Sequence, residues 1–153
     1  MPDETDSRLL RAVQRNAHLT TQDLGEMLAL SPSQAGRRRQ FLENGGYITG
    51  YRASVDPEKL GLTVEAFIQV SMDGHTRANA QSFLALVEMA EEVVAAWTLT
   101  GEADYMLRVF CRDLKALNRL VHETLLPHPS VARVQSQVVM DRIKADSPLP
   151  VAF

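Results

Sequence analysis

The chain predicts an α+β protein in two parts, an N-terminal winged helix-turn-helix followed by a C-terminal ferredoxin-like βαββαβ domain, and three observations carry that reading. Two capped helix starts, at Thr20 and Ser31, enclose a short helix and a tight turn. Apolar residues recur at every second position from Val64 to Met72, and strand-like segments return three times after it. Between those segments lie two stretches whose apolar residues fall at helical spacing.

In the N-terminal part Leu9, Leu10 and Val13 form one face of a first helix that fades near Asn16. A second helix begins after Thr20, whose hydroxyl can accept from the third helical N–H while Asp23 reaches back to the cap. Its buried stripe is expected to be Leu24, Met27 and Leu28. Ser31-Pro32-Ser33-Gln34 opens a third helix, with Ser31 as N-cap, Pro32 where a missing N–H costs nothing, and Gln34 closing a capping box. Only Ala29 and Leu30 separate the second and third helices, as in a helix-turn-helix. The third helix runs to Asn44, and Gly45-Gly46 suits a left-handed C-cap. Tyr47 to Val55 alternates as a strand or wing would before the Asp56-Pro57 turn. The boundaries expected are 1–50 for the helix-turn-helix, 51–61 for a strand and linker, and 62–153 for the second domain.

In the second domain a strand over Val64–Met72 precedes a helix from Arg77 to Ala90, with Ala80, Phe83, Leu84, Val87 and Ala90 turned inward. Strands over Val93–Thr100 and Asp104–Cys111 flank a Gly101-Glu102-Ala103 turn. Asp113 caps a second helix with Leu114, Leu117, Val121 and Leu125 inward, which Pro127 and Pro129 end. A last strand spans Val131–Met140. Two helices cover one face of a four-stranded sheet, so the other face calls for a second subunit.

Composition and charge narrow the function. The 153 residues carry net charge −3, but residues 1–60 hold eight basic and eight acidic side chains, and the excess acid lies beyond them. From Ser31 to Arg52 there are four arginines against Glu43 alone, and local charge governs attraction to phosphate. The start of the chain has no basic residues leading into an apolar run, and no stretch approaches the ~20 apolar residues that span a bilayer, so a cytoplasmic protein with no membrane partner is expected. The lone Cys111 sits among alternating strand residues and reads as core. His18, His75, His122 and His128 lack metal-ligand spacing, so neither metal nor cofactor is expected. Trp97, Phe67 and Phe110 read as packing residues. Without a Gly-rich phosphate loop or a nucleophile and base pair, the chain does not read as an enzyme.

The segments DETDSRLL, LSPSQAGRRRQFLENGGYITGY, DPEKLG, TGEADYML and ETLLPHPSV followed by VVM, in this order, resemble the leucine-responsive/asparagine regulator (Lrp/AsnC) family over nearly the whole chain. The resemblance implies a transcription regulator whose helix-turn-helix binds a double-stranded DNA operator. It implies too that the βαββαβ domain binds a small effector, an amino acid by preference, and forms homodimers and assemblies up to octamers. Three positions depart from the family pattern: Ala29 where glycine is frequent, Arg39 where an aliphatic residue is usual, and Phe41 where a polar one is usual.

The residues expected to meet DNA are Ser31, Ser33, Gln34, Arg37, Arg38 and Arg39, since the second helix of this motif enters the major groove. Arg39 also falls at a spacing from Ala35 and Leu42 that allows it to be half buried. The resemblance places the effector at the turn between the strands Val93–Thr100 and Asp104–Cys111, on Thr100, Gly101, Glu102 and Asp104, with Gln135, Ser136 and Gln137 of a neighbouring subunit's last strand. Val134 stands where a second hydroxyl is common. A second reading, motivated by Arg39, Ala29 and the acidic total, is a stand-alone amino-acid-binding or assembly module that has lost DNA binding.

Overall fold

The computed structural model describes residues 2–74 and 76–151, which leaves His75 outside the described residues. The chain forms two compact units, Met1–Ser54 with Ile143–Phe153, and Val55–Arg142. The final segment, expected with the second domain, is thus grouped with the first unit.

In the first unit three helices follow one another: α1 Glu4–Arg15, α2 Thr21–Leu28 and α3 Pro32–Asn44. Each opens on a reciprocal capping box. Asp3 pairs with Asp6, Thr20 with Asp23, and Ser31 with Gln34, so each N-cap side chain takes the N–H three residues on and is answered from there. The turn after α2 puts Ala29 at φ 56°, ψ 45°, the left-handed region that favours glycine, and Leu30 N–H closes it on the Gly25 carbonyl at 2.8 Å. At the end of α3 Gly46 takes the left-handed position, with Tyr47 N–H on the Leu42 carbonyl at 2.9 Å and Gly46 N–H on that of Glu43 at 3.1 Å, a Schellman closure. The helices enclose Leu9, Leu10, Val13, Leu24, Leu28, Ala35 and Leu42. Met27, expected in that stripe, is 52% exposed because it lies on the outer edge of a two-turn helix.

Tyr47 to Val55 forms no strand among the described residues. The alternation is there, but an isolated extended segment has no ladder partner within its own unit, and a lone strand is not stable in water.

The second unit begins with a short 3₁₀ turn, Glu58–Leu60, and holds β1 Val64–Met72, α4 Arg77–Met89, β2 Val93–Thr98, β3 Tyr105–Cys111, α5 Leu114–Arg119 running on through a π-helical Leu120–Leu125, and β4 Val131–Val138. All pairings are antiparallel, in the order β2-β3-β1-β4. Ala66, Ile68 and Val70 of β1 and Leu107, Val109 and Cys111 of β3 point to the helices and pack on Phe83, Val87, Leu117, Leu120 and Leu125. Burial pushes the Cys111 thiol pKa up, in keeping with a core position. The first strand has the bounds the alternation predicts, β2, β3 and β4 are one or two residues shorter at one end, and Leu84 and Leu114, expected inward, are exposed on the outer sides of α4 and α5. Trp97 is not packed either: on β2 it is paired with Met106 and points away from the helices, 47% exposed.

Candidate functional site

A helix turns about 100° per residue, so the three consecutive arginines of α3 cannot share one direction. Ser33, Arg37, Gln40 and Asn44 fall at helical spacing on its exposed side, flanked by Ser31, Gln34 and Phe41. This face presents one guanidinium, two amides and a hydroxyl, the groups that read base edges in a major groove. Gln40 and Asn44 were not among the residues expected there; counting three and seven residues on from Arg37 reaches them.

Arg38 and Arg39, expected at the DNA, are turned elsewhere. The Arg38 Nη1 atom donates to Asp3 and to Asp6 of α1, at 2.8 Å in each case, and the Asp6 side chain is only 4% exposed. Its charge thus neutralises a buried carboxylate at the α1–α3 contact. The Asp6 backbone N–H and then Arg38 hold the Asp3 carboxyl below its ordinary range. Arg39 donates through Nη1 to the Leu19 carbonyl at 2.9 Å and through Nε to Glu43 at 3.1 Å and to the Tyr51 hydroxyl at 3.0 Å. Tyr51 in turn donates to Glu43 at 2.7 Å, which with Arg39 holds that carboxyl low. Arg39 is therefore half buried, as its spacing allowed, and clasps α3 to the segment that follows it.

In the second unit Thr100, Gly101 and Glu102 form an exposed turn between β2 and β3, with Gly101 at φ 116°. Asp104 follows at the edge of β3, where its Oδ2 accepts from the Met72 N–H at 2.6 Å and its backbone N–H donates to the Val70 carbonyl at 3.0 Å. These bonds tie Asp104 to β1, which the sequence did not reveal. On β4 Gln135 and Gln137 lie opposite Gln69 and Phe67 on the face away from the helices, while Ser136 lies opposite Ile68 on the other face. The turn and these β4 residues stand on either side of β1, so one subunit does not bring them together.

Residues 2–49 match a winged helix-turn-helix DNA-binding domain, and residues 65–149 match the Lrp/AsnC ligand binding domain. The chain belongs to the Lrp/AsnC family. The DNA-binding transcriptional activator DecR of Escherichia coli is 31% identical to it, over 99% of both chains. The transcriptional regulator AzlB of Bacillus subtilis is 30% identical, over 99% of this chain and 96% of that one. Among solved structures, the transcriptional regulator NMB0573 in complex with L-Met from Neisseria meningitidis is 39% identical, with TM-score 0.93 over 98% of this chain and 97% of that one. As an Lrp/AsnC member the chain is a DNA-binding transcription regulator with an effector-binding domain, on the α+β fold its sequence predicts. Arg39 and Ala29, which had suggested lost DNA binding, are local fittings inside the helix-turn-helix.

Proposed function

We propose that the chain binds a symmetric operator through the exposed face of α3 as a homodimer or a larger even assembly, and that a free amino acid sets its affinity. The observation that carries this reading is the Ser33, Arg37, Gln40 and Asn44 stripe on the second helix of a helix-turn-helix. Two such helices in a two-fold assembly meet half-sites about one helical turn apart, or a multiple of it. The amino-acid class of effector rests on the structurally similar regulator solved with L-Met.

An amino acid needs an acceptor for its ammonium and donors for its carboxylate. Asp104 is proposed for the first, and the N–H groups of Thr100, Gly101 and Glu102 for the second, where Gly101 leaves no Cβ in the way. Gln135, Ser136 and Gln137 of a neighbouring subunit are proposed to line the side-chain end, the two glutamines and the serine from opposite faces of the strand.

The test is a mobility shift on the chain's own promoter region at two salt concentrations, because phosphate contacts give a steep salt slope. No retarded band at low salt would refute operator binding. A thermal-shift screen of the twenty amino acids then identifies the effector, since a ligand of the native state raises its stability. Asp104→Asn is the matched variant: it keeps an acceptor for Met72 and removes the charge. Wild-type affinity in that variant would move the ammonium site elsewhere.

A further inference from the structure

We propose that the groove between α1 and the Tyr47–Tyr51 segment is a peptide-docking site, and that its occupant is the chain's own C-terminal segment around Leu149–Val151. After β4 the chain leaves the second unit at Arg142, and the residues that follow belong to the first. Gln14 grips Leu149 with both ends of its amide: Oε1 accepts from the Leu149 N–H at 2.6 Å and Nε2 donates to the Leu149 carbonyl at 3.3 Å. These are the two bonds that a strand neighbour would exchange with that residue. Arg11, three residues earlier on the same helix face, donates through Nη2 to the Val151 carbonyl at 2.6 Å.

Recognition is by main chain at Leu149, whose side chain is 74% exposed, and by side chain at Val151, which packs half-buried against the helical core. Pro150 between them holds φ near the extended range and offers no N–H that needs a partner. Leu10, Val13, Ile48 and the two tyrosines line, together with Leu149 to Val151, a cavity of about 420 Å³. Three bonds from two long side chains converge here on residues far along the sequence, so this segment is held by a built receptor. The tail is thereby a second covalent connection between the units, besides the one after Ser54. It follows β4 after the four residues 139–142, so, on the effector reading of β4 proposed above, ligand binding has a route to the DNA-binding unit through it.

The test uses the full chain. In the wild type the Leu149 amide should exchange with solvent slowly and independently of protein concentration. Gln14→Ala should speed that exchange at least tenfold, and Arg11→Ala should speed it less. A chain truncated after Asp146 should bind an amidated peptide of residues 144–151 in trans, with shifts confined to α1 and residues 47–51, and the full-length chain should not. Leu149 exchange at the rate of an unstructured peptide, or unchanged by Gln14→Ala, overturns the docking. Protection that falls on dilution places the tail on a second copy and overturns the intramolecular assignment. Calorimetry of amino-acid binding to Gln14→Ala separates the readings: docking lost with effector binding retained supports the tail while leaving the effector site untouched, whereas an effector site that fails in the wild type leaves the Leu149 result standing.

Discussion

Arg37, Arg38 and Arg39 are one run in the sequence and three different interactions in the fold. Arg37 is exposed beside Ser33 and Gln40, Arg38 is spent on Asp3 and Asp6, and Arg39 on Leu19, Glu43 and Tyr51. Their substitutions should separate accordingly. Arg37→Ala should weaken operator binding by ~1–3 kcal/mol and relax specificity at one base pair, with the fold unchanged. Arg38→Ala should lower unfolding stability by roughly 1–3 kcal/mol, because it strands the buried Asp6 carboxylate. Arg39→Met keeps an apolar stem but opens the clasp, so operator affinity should fall while the salt slope stays at its wild-type value. Mobility shifts at several salt concentrations, paired with denaturant melts, check all three. A shallower slope for Arg39→Met would return that residue to the phosphates. The run itself was legible in the sequence, but its division was not, because Asp6 lies 32 residues from Arg38 and only the packing of α1 on α3 brings them together.

The starts of α2 and α3 were the most legible elements because their determinants are local, a hydroxyl, three residues and a reciprocating side chain, whereas the matching Asp3–Asp6 box that opens α1 was not read. Two changes at the turn probe how tightly the elements meet. Ala29→Gly should stabilise by about 0.5–1 kcal/mol, since glycine takes the left-handed region without a Cβ penalty, offset in part by a more flexible unfolded chain. Gly25→Ala should destabilise, because its Cβ would stand 2.8 Å from the Leu30 carbonyl oxygen and 3.3 Å from Pro32 N. Thermal melts that move both variants in the same direction would contradict this account of the turn. The caps also set a pH dependence. The Thr20 hydroxyl, then its N–H, holds Asp23 below its ordinary value, and Asp3 is held down in the same way by the N–H of Asp6 and by Arg38. Carboxyls with depressed folded values add stability that is fully present above their unfolded pKa, near 4, and is lost as pH falls through the folded one. Melting temperature should therefore be flat above about pH 5 and drop below pH 4, more gently in Asp23→Asn. Less local features were harder to read: Met27, Leu84 and Leu114 are apolar at helical spacing, and whether such a residue is buried depends on what lies opposite it.

At the scale of the whole molecule, the βαββαβ order and the inward faces of β1 and β3 follow from period and turn chemistry alone, and the sheet order β2-β3-β1-β4 with the buried residues of those two strands bears them out. The side of the sheet away from the helices was legible only as a face lacking a cover. It carries Phe67, Gln69, Met106, Arg108, Phe110, Trp97, Gln135 and Gln137, and a Glu65 carboxylate bonded to Arg108 and Arg142 at 2.7 Å each. Burial pushes that carboxyl up, and the two arginines outweigh it and hold it low. The Arg108 guanidinium lies 5.3 Å over the Phe110 ring, so even the charged residues here keep an apolar surface. An aromatic face of this kind, with its charges already paired, suits a second copy of itself related by a two-fold axis. Trp97 makes the pairing directly measurable, since it is the chain's single tryptophan and lies on this face, 47% exposed in one subunit. Light scattering at micromolar concentration should give at least twice the chain mass. Phe67→Asp, a charge in the middle of β1, should give the monomer with Trp97 emission shifted to the red and the fold retained by circular dichroism. The same monomer should bind the operator far more weakly, because it can hold only one half-site at a time. A wild-type protein that scatters as a monomer, or a Phe67→Asp protein that stays dimeric with unchanged emission, would remove the sheet face from the assembly.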